Sequence, residues 1–259
     1  MSNIKLIKGD CLQKMKDIPD KSKDMIFCDL PYGTTRCKWD TVINLDLLWE
    51  QYCRIIKDNG AILLFAQTPF DKVLGVSNLQ MLKYEWIWEK TSATGHLNAK
   101  KMPMKAHENI LVFYKKPPTY NPQMTTGHTP IHSFNKKIEV QNHSEIYGNA
   151  TKEIIGGGST IRYPRSVQVF SSDKQTSALH PTQKPVGLLE YFIKTYTNKG
   201  DEVLDNCMGV ASTGIACLET NRNFEGIELE TDYFETCKNR VNTYIKENNL
   251  QDIHIEIAE

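Results

Sequence analysis

Asp29-Leu30-Pro31-Tyr32 sets a carboxylate, a chain-stiffening proline and an aromatic ring side by side, directly after the apolar run Met25-Ile26-Phe27-Cys28. An apolar run ending in such a group reads as a strand that delivers an acceptor and a stacking surface to the carboxyl edge of a sheet. The pair suits a flat, amino-bearing ring such as a nucleobase. The exocyclic amine of a base is a poor nucleophile because its lone pair is delocalised into the ring. Hydrogen bonds from its N–H groups to the Asp29 carboxylate and a nearby backbone carbonyl would localise electron density on that nitrogen. Tyr32 would stack on the base once it has left the helix. Taken alone, the tetrapeptide reads equally as a plain turn, with Pro31 fixing φ and Asp29 capping the next segment.

A second stretch carries chemistry of another kind. Val203-Leu204 leads to Asp205, then to the small-residue turn Asn206-Cys207-Met208-Gly209-Val210-Ala211-Ser212-Thr213-Gly214, and Asn223 to Glu228 forms a strand ending on a carboxylate. Strand, glycine turn, helix, strand and acidic residue is the layout of a nucleoside-binding βαβ unit. Gly209 would let the ligand approach the backbone, and Glu228 has two oxygens for ribose hydroxyls. Neither Gly-x-Gly-x-x-Gly nor Gly-x-x-x-x-Gly-Lys-Ser/Thr is present, which favours a nucleoside without a pyrophosphate. Asp10, after the short strand Ile4 to Lys8 and Gly9, stands at another strand-to-helix junction, as a cap or a ligand contact.

The elements that must position these groups alternate. Lys23 to Asp29 is a strand, and a helical spacing runs from Leu45 through Ile56 to a stop at Asn59-Gly60. Ala61 to Phe65 is a buried-type strand, and Pro69-Phe70-Asp71 opens a helix. Tyr84 to Trp88 and Asn109 to Tyr114 are further strands, joined by a polar, basic loop from Thr91 to Lys105 that holds Lys100 and Lys101. Residues 117–178 are irregular, with Gly156-Gly157-Gly158 and Arg162-Tyr163-Pro164-Arg165, and read as a substrate-recognition insert. Lys100, Lys101, Arg162 and Arg165 are candidates for phosphate or base contacts; ion pairing within the protein is the competing role for the two arginines. A helix with Leu188, Leu189, Tyr191, Phe192 and Tyr196 on its apolar face, closed by Gly200, comes next, and Tyr233 through Tyr244 make the last one. The alternation points to a wound α/β sheet.

Net charge is zero over 259 residues, but residues 82–137 hold nine lysines against three glutamates, and residues 201–259 thirteen acids against four bases. Such a split would present the middle of the chain to a polyanion. No run approaches a membrane span and no signal-peptide pattern opens the chain, so a cytoplasmic protein is expected. Seven cysteines without a Cys-x-x-Cys argue for reduced thiols. No His/Cys cluster has zinc-ligand spacing, and His107 and His180 read as hydrogen-bonding residues rather than metal ligands.

Read together, these segments resemble the amino-group DNA methyltransferases that use S-adenosylmethionine, in the permuted arrangement called the beta class. Asp29-Leu30-Pro31-Tyr32 is similar to the family's Asp/Asn/Ser-Pro-Pro-Tyr signature, with Leu30 in place of the first proline. His180-Pro181-Thr182-Gln183-Lys184-Pro185 is similar to its motif beside the methionine end of the cofactor. Leu204 to Gly214 resembles the Asp-Pro-Phe-x-Gly-Ser-Gly-Thr-Thr loop, departing from it at Asn206, Cys207, Val210, Ala211 and Ser212, and Gly226-Ile227-Glu228 resembles the ribose-binding segment. The resemblance implies a Rossmann-like α/β methyltransferase fold: a mostly parallel twisted sheet, helices on both faces, and a circularly permuted motif order. Residues 1–116 would be its catalytic part, 117–178 a target-recognition insert, and 179–259 its cofactor-binding part. It places Asp10 by the adenine of S-adenosylmethionine, Asp205 and Gly209 by its amino-acid part, and Thr182 and Lys184 near its carboxylate. Asp29, Pro31 and Tyr32 become catalytic, and aspartate in the first position implies adenine N6 in double-stranded DNA as acceptor. Cytosine N4 or RNA is the alternative acceptor, and an inactive cofactor-binding, DNA-binding subunit the alternative of another class. Relatives imply a homodimer and a restriction partner.

Overall fold

A strand buried on both faces must be apolar without interruption. The chain has two strands at its centre with such a run, Lys23–Cys28 (β2), apolar from Met25 on, and Ile56–Ala66 (β3), apolar from Ala61 on. In the computed structural model, which describes residues 2–34, 37, 40–130, 142–144, 148–150, 157–171 and 183–259, they lie side by side and parallel. The other strands are Ser2–Lys8 (β1), Leu82–Thr94 (β4), Lys105–Phe113 (β5), Asn142–Ser144 (β6), Gly148–Ala150 (β7), Val167–Phe170 (β8), Glu202–Asp205 (β9), Asn223–Glu228 (β10) and Ile253–Ala258 (β11). Helices are Cys11–Lys14 (α1), Leu45–Ile55 (α2), Phe70–Ser77 (α3), Val186–Tyr196 (α4), Ser212–Thr220 (α5) and Thr231–Glu247 (α6).

The chain divides into two compact units, Met1–Asn121 with Ser166–Glu259, and Pro122–Arg165. The larger holds a nine-stranded sheet in the order β11-β1-β10-β9-β2-β3-β5-β4-β8. All pairings from β11 to β3 are parallel, β5 is antiparallel to both β3 and β4, and β8 is parallel to β4. The period-2 alternation of each central strand feeds two cores. Met25 and Phe27 pack with Leu188, Phe192, Ile215 and Phe234, and Ile26 and Cys28 with Met15, Leu48, Tyr52 and Leu74 on the opposite face. Three layers result, with α4, α5 and α6 on one side of the sheet and α1, α2 and α3 on the other. In the smaller unit, β6 and β7 pair antiparallel, and Thr125 and Arg162 form an isolated bridge. Among the described residues no helix is long and apolar enough to cross a membrane.

Four expectations need correction. Helix α2 stops at Ile55 and β3 starts at once, so Asn59-Gly60 lies within a strand. The segment read as a loop from Thr91 is still β4 as far as Thr94. Val167–Phe170, expected to be irregular, is an edge strand of the main sheet. The apolar helix ends at Tyr196, before Gly200.

Candidate active site

Strands β9 and β2 are neighbours from which the chain winds in opposite directions, to β10 on one side and β3 on the other. A crevice outside the carboxyl ends of strands at such a switch point is where open α/β sheets bind ligands. A cavity of about 420 Å³ occupies that position, lined by Asp10, Asp29, Pro31, Tyr32, Lys184, Asp205, Gly209 and Glu228 among others. All eight are residues that the sequence singles out, and the sheet brings them together because each sits at or just beyond a strand end or helix start on the same edge. Thr182 lies outside the described residues.

Asp29 comes directly after β2 and accepts from the Tyr32 hydroxyl at 2.6 Å and from Lys184 Nζ at 2.5 Å. Tyr32 has one ring face against Phe70, with centroids 5.2 Å apart. Lys184 is also paired with Glu108 at 3.2 Å, and Glu108 with Lys90 at 2.5 Å, so charges alternate along Lys90–Glu108–Lys184–Asp29. Because β5 runs against its neighbours, its opening residues bring Glu108 to the edge where β4 carries Lys90. Lys184 Nζ also stands 4.9 Å from the Phe65 ring centroid, within cation–π range.

The electrostatics of the site rest on this ladder. Burial pushes the Asp29 carboxyl above its usual value, and Lys184 offsets only part of that. Burial also opposes ionisation of Glu108, but Lys184 and Lys90 together overcome it and hold the carboxyl at about 2. For Lys184, burial acts downward and is outweighed by Asp29 and Glu108, which raise it, so the ammonium stays charged. Burial also raises the Tyr32 phenol, which therefore donates its proton to Asp29 as a neutral group.

The other half of the cavity is built on backbone amides. Glu228 accepts from Gly209 N and from Glu230 N, both at 2.8 Å, one on each oxygen. Asp205 accepts from Thr213 Oγ1 at 2.7 Å and Cys207 N at 3.1 Å; burial lifts its carboxyl to about 6. The turn between them sits directly on β10 because residue 226 is glycine: a Cβ there would lie 2.6 Å from the Phe224 ring and collide with Met208 Sδ. Gly209 takes φ +54°, and a Cβ on it would meet no protein atom within 4 Å, so the space above it is open to a ligand. The departures at Asn206, Ala211 and Ser212 have local partners or costs. The Asn206 side chain accepts from Tyr52 OH, Ser212 Oγ accepts from Arg240 at 2.9 Å, and Ala211 adopts φ +56°. An αL alanine costs roughly 1 kcal/mol.

Asp10 caps α1 through Gln13 N at 3.0 Å. Lys100 and Lys101 are exposed in the loop after β4. Arg162 spends its guanidinium on the backbone carbonyls of Ser159, Ile161 and Thr129 within the smaller unit, where Arg165 also lies, exposed. Sequence reading missed Lys90, Glu108 and Arg240. The signal for the first two is strand alternation, Trp86, Trp88 and Lys90 on one face of β4 and Glu108, Ile110 and Val112 on one face of β5.

A wound sheet whose switch-point cleft joins an Asp-x-Pro-Tyr corner to an acidic, glycine-floored pocket defines a Rossmann-like methyltransferase. The chain belongs to the DNA methylase family, whose model matches residues 23–239. It is 29% identical to the DNA adenine methyltransferase YhdJ of Escherichia coli, over 89% of this chain and 80% of that protein. It is 26% identical to the type II methyltransferase M2.MboI of Moraxella bovis, over 92% of this chain and 87% of that one. Among solved structures, the M1.HpyAVI–SAM complex superposes with a TM-score of 0.64 at 24% identity, covering 92% of this chain and 99% of that one. The cytosine-N4-specific PvuII DNA methyltransferase superposes at 0.67 and 14% identity, covering 98% and 95%. These likenesses concern the fold.

Proposed function

We propose that the protein transfers a methyl group from S-adenosylmethionine to the N6 amine of adenine extruded from duplex DNA. The observation that carries this reading is that Asp29 and Tyr32 line the same cavity as Gly209 and Glu228, so an amine acceptor and a nucleoside pocket share one space. The residues present fit the cofactor. Glu228 has one backbone donor on each oxygen, and a carboxylate has roughly four lone-pair sites, which leaves capacity for two ribose hydroxyls. Lys184 donates one N–H to Asp29 and faces Glu108 as an ion pair at 3.2 Å, which leaves donor capacity for the cofactor's carboxylate. Asp205 and Gly209 face its amino-acid part, Asp10 its adenine, with Thr182 beside Lys184 in sequence. When bound, the cofactor supplies an electrophilic methyl group.

The protein's own part is orientation and electrostatics. Asp29 accepts an N–H of the target amine and raises its electron density, Pro31 fixes the turn that aims the carboxylate, and Tyr32 stacks on the base with Phe70 behind it. Lys100, Lys101 and Arg165 meet the DNA, while Arg162, proposed from sequence for the same task, is held by three backbone carbonyls and supports the smaller unit from within. Adenine as acceptor is supported by aspartate at position 29 and by the activity in the name of the Escherichia coli relative. The reading includes action in the cytoplasm, a homodimer, and a cognate restriction enzyme, the last supported by the type II name of the Moraxella bovis relative.

The test is transfer of labelled methyl to unmethylated duplex DNA, followed by identification of the modified base, for wild type and Asp29→Ala. Removing one preorganised partner of the reacting group should cost about 10²–10³ in kcat. Stability should hold, because Lys184 retains Glu108. N4-methylcytosine as the product would overturn the adenine assignment, and full activity of Asp29→Ala would overturn the role of the carboxylate.

A further inference from the structure

The hairpin loop joining β4 to β5 is hydrogen-bonded to itself but buries none of residues 95–104. Thr94 and Lys105 pair at its base, Gly95 takes φ +91°, and Asn98 N, Ala99 N, Lys101 N and Met102 N all bond to carbonyls of the loop itself. That framework holds Leu97 97% exposed, with Met102 and Met104 also exposed. Between Glu89 and Glu108 the chain has no carboxylate, while Lys90, Lys100, Lys101 and Lys105 contribute four cations. Thr94 and Lys105, which close the loop, also line the cavity that holds Asp29 and Tyr32. A leucine 97% exposed therefore stands on an internally hydrogen-bonded, cationic support at the rim of the pocket.

An extruded base leaves a gap in the stack, and an apolar side chain entering between base steps keeps the duplex from closing on it. We propose that the 95–104 loop is a DNA wedge, in which Leu97 enters the base stack beside the target nucleotide while Lys100 and Lys101 hold the flanking phosphates. The proposal rests on the base-extrusion reading above. Charge selects duplex DNA over a protein partner: an apolar tip without acidic neighbours suits a polyanion whose interior is apolar.

The assay compares methyl transfer by the full chain to unmethylated duplex DNA and to the same DNA heat-denatured. A wedge matters only where a stacked pair must be opened, so Leu97→Ala should lower the duplex-to-single-strand ratio of kcat/KM at least tenfold, and Leu97→Met should restore it. Lys100→Ala/Lys101→Ala should raise KM for both DNAs and flatten the salt dependence. A ratio unchanged in Leu97→Ala, with wild type active on duplex DNA, overturns the wedge alone and turns attention to a protein partner for the exposed tip. A wild-type protein that methylates neither DNA overturns the wedge together with the reading on which it rests.

Discussion

Replacing Glu108 by glutamine tests whether the Lys90–Glu108–Lys184–Asp29 ladder is electrostatically coupled. The Glu108 side chain is 11% exposed and the Lys184 side chain 9% exposed, so solvent screens the pair little. Two lysines hold its carboxyl at about 2 against 4.5 in the unfolded chain, and at 1.36 kcal/mol per pH unit that gap is worth about 3 kcal/mol at pH 7. The pKa is depressed on folding, so this stability is present above pH 4.5 and is lost as pH falls toward 2. Glutamine imitates the protonated acid. Urea unfolding should therefore place Glu108→Gln about 3 kcal/mol below wild type at pH 7, and only about half as far below at pH 3. Other carboxylates titrate in both proteins and largely cancel in the difference. The same substitution removes a negative charge that helps to raise Asp29, so the acid limb of methyl transfer should move to lower pH. A stability gap equal at pH 7 and pH 3 would refute the coupling, because simple packing loss does not titrate.

The same geometry sets three further outcomes. Gly226→Ala should destabilise by about 1–3 kcal/mol through overpacking against Met208 and Phe224, read from urea midpoints, and should weaken S-adenosylmethionine binding by displacing the 206–211 turn. Tyr32→Phe removes the donor on Asp29, and since that hydrogen bond helps to hold the carboxyl down, the acid limb of the kcat profile should move to higher pH. Lys184→Met leaves Asp29 and Glu108 facing each other without their shared cation. Breaking a buried pair in this way should cost about 3–5 kcal/mol in unfolding experiments, far more than Asp29→Ala.

What was legible in the chain was whatever neighbouring residues decide among themselves. The carboxyl halves of strands β2 and β3 announce themselves as unbroken apolar runs because both faces are covered there, and the 205–214 turn because small residues must lie flat on a strand. Gly60 misled for the opposite reason. It reads as a helix stop, yet it serves a close approach within β3, where a Cβ would come within 2.8 Å of Asp24 O beside an irregularity in the β2–β3 register. Strand β8 has only four residues at a sheet edge, alternately exposed, and owes its conformation to the β4 backbone rather than to a pattern of its own. Strand β11 does carry a signal, Ile253, Ile255 and Ile257 at period 2, but its partner is β1, remote in sequence, so no neighbouring segment marks it as paired.

The site divides along the same line. Asp29 and Tyr32 are three residues apart and are recognisable as a unit, as are Asp205 and Gly209. The Lys90–Glu108–Lys184–Asp29 ladder joins residues 18 positions apart at one end and 155 at the other. It exists only because the antiparallel β5 turns its first residues toward the edge where the parallel strands end. A motif can therefore point to Lys184 without revealing that its ammonium is shared by two carboxylates. That sharing has a consequence for the chemistry. Asp29 is tethered on one oxygen by the cation and on the other by a phenol, so in the proposed reaction an incoming amine would have to displace or share a donor already in place. The tether fixes the direction of the carboxylate in advance, and under the proposed function that is the preorganisation that would let one acceptor matter to the rate.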